Sequence, residues 1–240
     1  MDDPSHTLDT LGSLKIRQDR HGYRFSIDAP LLAGLVGLGK NDRVVDLGAG
    51  CGIVALCLAR RHPQCRFWAV EIQPELAAHA GYNVQANAMA DRIDVLCQDM
   101  RTLTLSVLGG PVDWVVANPP YHAALSGRVN PQPQRALARH EILVTLADIA
   151  AAASRLLRLG GHLALIYPAP RLAEMITCLA GCGLAPKRLR PIYSAAGTQA
   201  RLVWLVARKG GQTGLVIQPP LVIYRRPGVY SAEVNRLLNV

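Results

Sequence analysis

No stretch at the start of this chain combines the basic opening and apolar centre of an export leader, because Met1-Asp2-Asp3-Pro4 begins acidic. The longest smooth apolar piece nearby, Ala29 to Gly39, is too short to cross a hydrocarbon layer about 30 Å thick. Low-complexity segments, internal repeats and long blocks of like charge are also lacking, which excludes a solenoid or a disordered tail. Six cysteines occur, Cys51, Cys57, Cys65, Cys97, Cys178 and Cys182, with no Cys-x-x-Cys pair and no histidine at ligand spacing. They read as reduced packing thiols of a cytoplasmic protein, so neither disulfides nor a metal centre are expected. Cys178 and Cys182 stand one helical turn apart, which leaves a metal or redox pair as the minor alternative. Chain order assembles no serine or cysteine triad.

Two further scarcities concern charge. Lysine is rare, since arginine supplies 22 of the 26 basic residues, and the net charge is +9. Acids are missing from two long stretches. One lies between Glu174 and Glu233 and carries Lys187, Arg188, Arg190, Arg201, Arg208, Lys209, Arg225 and Arg226; the other runs from Trp114 to His140 and carries Arg128, Arg135 and Arg139. Arginine forks in such a field attract a phosphate backbone, which makes a nucleic acid the expected partner. The plainer reading is a set of solvated surface arginines.

Half of the residues are apolar, enough for a large core, and 240 residues fit one α/β domain. The expected organisation is a single domain over 1–240, with a lead-in and cap helix over 1–40, a core over 41–210 and an extension over 211–240. Asp28 reads as the cap of a helix over Ala29 to Leu38, with Pro30 tolerated early in it. Strands near 43–47, 66–70, 93–97, 112–117 and 162–167 alternate with helices at 52–61, 74–88, 141–158 and 170–182. That alternation calls for a mostly parallel sheet covered on both faces. Lys187 to Tyr193 and Arg201 to Arg208 read instead as an antiparallel hairpin, followed by an extended piece from Leu215 to Tyr224.

Strand ends carry the chemistry. Arg43 to Leu47 runs through Asp46 into Gly48-Ala49-Gly50-Cys51-Gly52, then into an apolar helix. Glycines there let backbone approach a ligand, and the following helix start favours its polar groups. A nicotinamide fingerprint would place its third glycine one residue later; this spacing is the one associated with S-adenosylmethionine. The next strand ends at Glu71, whose carboxylate suits the two hydroxyls of a ribose. Gln98-Asp99-Met100 follows a third strand, where Asp99 could accept the amino hydrogens of an adenine while Met100 packs on its ring, or could serve as a plain helix cap or turn residue.

The most specific feature is Asn118-Pro119-Pro120-Tyr121, directly after the buried run Val112 to Ala117. The Asn118 side-chain oxygen and the Pro119 carbonyl both accept hydrogen bonds from one planar –NH2, and neither proline offers a competing N–H. Tyr121 supplies a face on which a base or amide stacks.

Asp46 to Gly52, Glu71, Asp99 and Asn118 to Tyr121 together resemble the class I S-adenosylmethionine-dependent methyltransferases that methylate amino groups. His21-Gly22-Tyr23-Arg24-Phe25-Ser26-Ile27-Asp28 and Ala138-Arg139-His140-Glu141 are similar to the bacterial family acting on N6 of an adenine beside the anticodon of valine tRNA. The similarity extends from about Gly22 to near Tyr230. It implies an α/β fold, a Rossmann-like seven-stranded methyltransferase sheet, mostly parallel with a C-terminal antiparallel hairpin. It implies catalysis by Asn118, Pro119, Pro120 and Tyr121. It also implies S-adenosyl-L-methionine held by Phe25, Ser26, Asp46, Gly48, Ala49, Gly50, Gly52, Glu71, Ile72, Asp99, Met100 and Asn118. Asp28 keeps two readings, helix cap or member of the segment closing over the cofactor. A basic surface of Arg128, Arg135, Arg139, Lys187, Arg188 and Arg190 would meet the tRNA.

Other substrates share this chemistry: a protein glutamine amide, a ribosomal guanine or a DNA adenine. A glutamine methyltransferase would ordinarily carry a helical partner domain before the first strand, and a DNA enzyme a larger recognition segment. A non-catalytic RNA-binding module would show a broken glycine loop or tetrapeptide, and both are intact. Gly210-Gly211-Gln212 reads as a turn after a strand, His122 as a solvated loop residue, and His140-Glu141 as a helix opening without the second histidine of a zinc helix.

Overall fold

The computed structural model describes residues 5–22, 24–119 and 144–239. It opens with an antiparallel hairpin of β1 (His6–Leu11) and β2 (Leu14–Asp19), followed by α1 (Asp28–Leu35). An alternating series comes next: β3 (Arg43–Leu47), α2 (Ile53–Arg61), β4 (Arg66–Glu71), α3 (Pro74–Ala86), β5 (Ile93–Cys97), α4 (Leu105–Leu108) and β6 (Val112–Ala117). After the undescribed residues come α5 (Leu146–Leu156), β7 (Leu157–Pro168) and α6 (Leu172–Gly181). The chain ends in β8 (Leu184–Ala195), β9 (Ala200–Lys209), β10 (Val216–Ile217), β11 (Leu221–Arg226), β12 (Val229–Tyr230) and α7 (Ala232–Leu238).

The main sheet has the order β12-β11-β8-β9-β7-β6-β3-β4-β5, with β10 paired to β8. Within it β5, β4, β3, β6 and β7 are parallel, and β9 then β8 add the antiparallel hairpin that completes a seven-stranded core. The central strands read as unbroken apolar runs because both faces are covered. Val44, Trp114, Val116, Ala164 and Ile166 join the cluster that includes α1 and α2, whereas Val45, Leu47, Val115, Ala117, Leu163 and Leu165 join the one that includes α5 and α6. No described helix is long and apolar enough to cross a membrane.

Several boundaries differ from expectation for local reasons. Asp28 is not the cap of α1: Ile27 occupies that position, and Asp28 is the first helical residue, its carboxylate accepting from Ser26 Oγ at 2.8 Å. The helix stops at Leu35, where Val36 turns extended with ψ 122° ahead of Gly37 and Gly39. The capping box of α5 forms at Thr145 and Asp148, each side chain bonded to the other's backbone N–H at 3.2 and 2.8 Å. The expected helix opening at His140-Glu141 lies outside the described residues. Pro219 and Pro220, which have no N–H to give a ladder, divide the extended piece after Leu215 into β10 and β11.

Candidate active site

Parallel register brings the carboxyl ends of β3, β4 and β6 to one level. Leu47 lies opposite Val70 on one side and Ala117 on the other, so Gly48 and Asn118 leave neighbouring strands, about 4.8 Å apart, together. At this junction the N–H groups of Gly48 and Ala49 both donate to the Val70 carbonyl, at 2.9 and 3.0 Å, fastening the glycine loop to β4. Gly48 has φ +73° and Gly52 φ +83°, a region that costs other residues about 1–2 kcal/mol. A Cβ on Gly52 would also stand 3.2 Å from Ala80 Cβ of α3. Over Gly48 the space is open: the nearest atom to a Cβ there is the methyl of Met100 at 3.9 Å. Gly48 therefore floors a cradle with a thioether at its side, a fit for an adenosine-bearing cofactor.

Carboxylates frame that cradle. Glu71 is 4% exposed, and its two oxygens accept from the N–H groups of Gly50 at 2.8 Å and Gln73 at 2.9 Å. It thus orders the loop as well as standing at the strand end, and each oxygen keeps a lone pair for a ribose hydroxyl. Asp46, 2% exposed, accepts from the Ala55 N–H at 3.3 Å. Burial pushes its carboxyl up to about 7; the hydrogen bond opposes that shift and the Glu71 charge adds to it. Asp99 is gripped by Arg101, whose Nε and Nη2 donate to Oδ2 at 2.9 and 2.5 Å, with Nε also 3.0 Å from Oδ1, and which holds the carboxyl below the usual range. Met100 is buried beside Leu47 and Val70, and its carbonyl accepts from Arg155 at 2.8 Å.

Asn118 and Pro119 are half-buried at the end of β6, and Ile72 is half-buried after Glu71. The Phe25 N–H donates to the buried Gln18 side chain at 2.9 Å, and its ring packs against the α1/α2 cluster. Ser26 is exposed and bonded to Asp28, whose carboxyl is raised by burial against the opposing influence of Ser26 and Arg201. Pro120, Tyr121, Arg128, Arg135 and Arg139 lie outside the described residues. Three expected tRNA contacts are already engaged within the chain. Lys187 Nζ bonds the carbonyls of Gln212 and Thr213, Arg188 lies over the Trp204 ring at 5.4 Å, and Arg190 joins the Pro219 carbonyl and Glu233.

Sequence reasoning missed a buried carboxamide that ties the lead-in to this site. Asn83 of α3 accepts from the Arg17 N–H at 2.7 Å and donates to the Arg17 carbonyl at 3.0 Å; Asn87 treats Lys15 the same way at 2.9 and 2.8 Å. Two side chains one helical turn apart thus imitate a strand pairing with alternate residues of β2. Asn83 also donates to the Cys51 carbonyl in the glycine loop at 3.0 Å. The available signal was a pair of poor helix formers at i and i+4 in a helix. Beyond them, His79 Nε2 meets Asp19 at 2.9 Å, and Arg17 Nε donates to His79 Nδ1 at 3.2 Å. Nδ1 is therefore an acceptor and the ring proton sits on Nε2. His6 completes a group of ligand-type atoms within 4.8 Å, yet a cation there would have to displace that proton while Arg17 stays a donor. The cluster works as a hydrogen-bonded clasp between hairpin and helix.

Fold and site together define a methyltransferase that takes its methyl group from S-adenosylmethionine. Residues 28–175 match the Methyltransferase small domain family, and the chain belongs to that family. It is 32% identical to a tRNA1(Val) (adenine(37)-N6)-methyltransferase of Aeromonas hydrophila, over 95% of this chain and 94% of that one. A protein of the same name from Porphyromonas gingivalis is 34% identical, over 80% and 76%. Among solved structures, a predicted O-methyltransferase from Agrobacterium tumefaciens aligns with TM-score 0.71 and 26% identity, covering 88% of this chain and 95% of its own.

Proposed function

We propose that the enzyme methylates N6 of an adenine in tRNA beside the anticodon. The observation that carries this reading is the placing of Asn118-Pro119 at the end of β6, level with the start of the glycine loop. S-adenosylmethionine supplies a methyl group on a positively charged sulfur, already strongly electrophilic. The protein's task is then to hold the acceptor nitrogen in line with it, which asks for positioning more than for a strong base. An adenine amino group is flat because its lone pair is shared with the ring. Asn118 Oδ1 and the Pro119 carbonyl, accepting its two hydrogens, favour a pyramidal, more nucleophilic nitrogen and stabilise the charge that develops as the bond forms. Tyr121 takes the face of the flipped base, which a single-stranded anticodon loop presents more cheaply than a duplex. Glu71 and Asp99 hold the ribose and adenine of the cofactor, with Met100 against the adenine ring.

The names carried by the relatives support tRNA as the substrate. The deciding experiment incubates the protein with labelled S-adenosylmethionine and, in parallel, unmodified bulk tRNA, ribosomal RNA, duplex DNA and a release factor, then digests the product. N6-methyladenosine from tRNA alone is the expected result. Label in glutamine, in ribosomal guanine or in DNA would replace it with the corresponding substrate.

A further inference from the structure

The sheet divides the acid-free span after Glu174 into two ends with different uses. β6, β7, β8 and β11 point the same way, and β9 runs against them. Register carries the level of the active-site floor across the strands: Ala117 lies opposite Leu165, Leu165 opposite Leu205, and Leu205 opposite Leu189. Lys187, Arg188, Arg208 and Lys209 fall below that level. Lys209 Nζ bonds the Leu157 carbonyl at 2.7 Å and Arg208 that of Gly160 at 3.3 Å, so all four are tied to in-chain partners.

Above the floor Arg190 is tied to the Pro219 carbonyl and Glu233, and the basic residues beyond it stand higher. β8 continues from Arg190 to Ala195, and β11 climbs beside it, Leu221 opposite Ile192 and Tyr224 opposite Ala195. At about 3.3 Å per residue these strands raise a wall roughly 20 Å above Ala117. β11 stands four strand intervals from β6, about 19 Å. The crest holds Arg201, Arg225 and Arg226, all exposed. Arg225 and Arg226 make no ion pair among the described residues. Tyr224 and Tyr230 lie half-buried beside them, their rings stacked at 5.3 Å. Glu233, which ends the acid-free span, is spent on Arg190 at 2.8 Å.

We propose that this crest, and not the basic residues lower on the same strands, is where the phosphate backbone of the substrate RNA docks. Guanidinium forks suit phosphate oxygens, and the Tyr224–Tyr230 stack, packed on the core beneath, stiffens the strand that carries them. The crest stands at the same end of the strands as Asn118, so a base delivered to Asn118 and the phosphates held by Arg225 and Arg226 belong to one stretch of RNA. The proposal rests on the tRNA reading above. Its test measures binding of unmodified bulk tRNA across a salt series for three full-length proteins: wild type, Arg225→Glu/Arg226→Glu, and Arg60→Glu/Arg208→Glu, a pair of equal charge change at the opposite end.

The crest pair is expected to weaken binding at least about tenfold and to flatten the salt slope by about two, while S-adenosylmethionine affinity stays within about twofold. The lower pair should stay within about threefold of wild type. If the crest pair also lost cofactor affinity, Arg225→Gln/Arg226→Gln would decide by the same comparison. Equal losses from both pairs would overturn the crest. Normal binding by the crest variant, with tRNA still bound and methylated by wild type, would overturn the crest and leave the tRNA reading standing. Absence of both tRNA binding and tRNA methylation in wild type would remove the two together.

Discussion

Asn118, which follows β6, and Asp46 of the neighbouring β3 are expected to use their side-chain oxygens in opposite ways. The Asn118 oxygen is proposed to act on the acceptor amino group while a methyl group is in transfer. Asn118→Ala is therefore expected to lower kcat about 10²–10³-fold, with S-adenosylmethionine affinity within about threefold of wild type. Titration calorimetry beside single-turnover rates checks this, and parallel loss of binding and rate would take Asn118 out of the catalytic role. Asp46 acts through the fold. Its carboxyl titrates near 3.9 in an unfolded chain and at about 7 in place. Between those values the folded protein keeps a proton that the unfolded chain has released. The contribution to stability is thus full below pH about 4 and withdrawn as pH rises through about 7. Asp46→Asn should remove that loss, so its Tm relative to wild type should be higher at pH 8 than at pH 5. The same difference at both pH values would show that Asp46 does not titrate there. Residue types at strand ends were legible in the sequence, since Asp46, Glu71, Asp99 and Asn118 lie within or close after short apolar runs. What each carboxylate touches was not legible. Glu71 is shared between Gly50 and Gln73, and Asp99 turns to Arg101, because of turn geometry that residue identity does not encode.

At the scale of elements, the unforeseen ones are short: β1, β2, α4, β12 and α7 have too few residues to show a helical period or a clear alternation. The core strands and their helices could be read because buried parallel strands are continuous apolar runs. β2 buries only Leu14, Ile16 and Gln18 on its inward face, between Lys15, Arg17 and Asp19, too short an alternation to separate from a loop. α7 has seven residues and takes its start from Ser231, whose Oγ accepts from the Val234 N–H at 3.2 Å. The hairpin is held to α3 mainly by side chains imitating a strand edge, and Asn83 joins that edge to the glycine loop. Asn83→Ala would leave the Cys51 carbonyl and both Arg17 backbone groups without this partner, a penalty of about 1–3 kcal/mol for buried unmade bonds. The expected result is a lower Tm, faster amide exchange in β2, and a KM for S-adenosylmethionine raised several-fold with kcat within about twofold. Unchanged exchange in β2, or a fall in kcat alone, would show that Asn83 does not link the hairpin to the loop.

For the molecule as a whole, residues after 210 are structural and not an appendage. β11 covers the edge of β8 that a seven-stranded core would leave open. α7 lies on α1 so closely that a Cβ on Gly34 would stand 2.8 Å from the Leu237 carbonyl, and Arg61 of α2 bonds that carbonyl and the Asn239 carbonyl. Leu221 and Val234 are fully buried and Ile223 is 7% exposed. Each such side chain contributes about 1.5–3 kcal/mol by leaving water, so the three together rival the roughly 5–15 kcal/mol of net stability that a domain holds. A chain ending at Gly214 would expose that apolar surface together with the unpaired edge of β8, the combination that promotes strand-to-strand aggregation. Such a truncation is expected to be recovered in the insoluble fraction, or as oligomers by size-exclusion chromatography with no cooperative melt. A soluble monomer that melts cooperatively and binds S-adenosylmethionine would show instead that the core closes at β8. In that case the crest could be removed without disturbing the cofactor site, and its part in RNA binding could be read from the truncated protein directly.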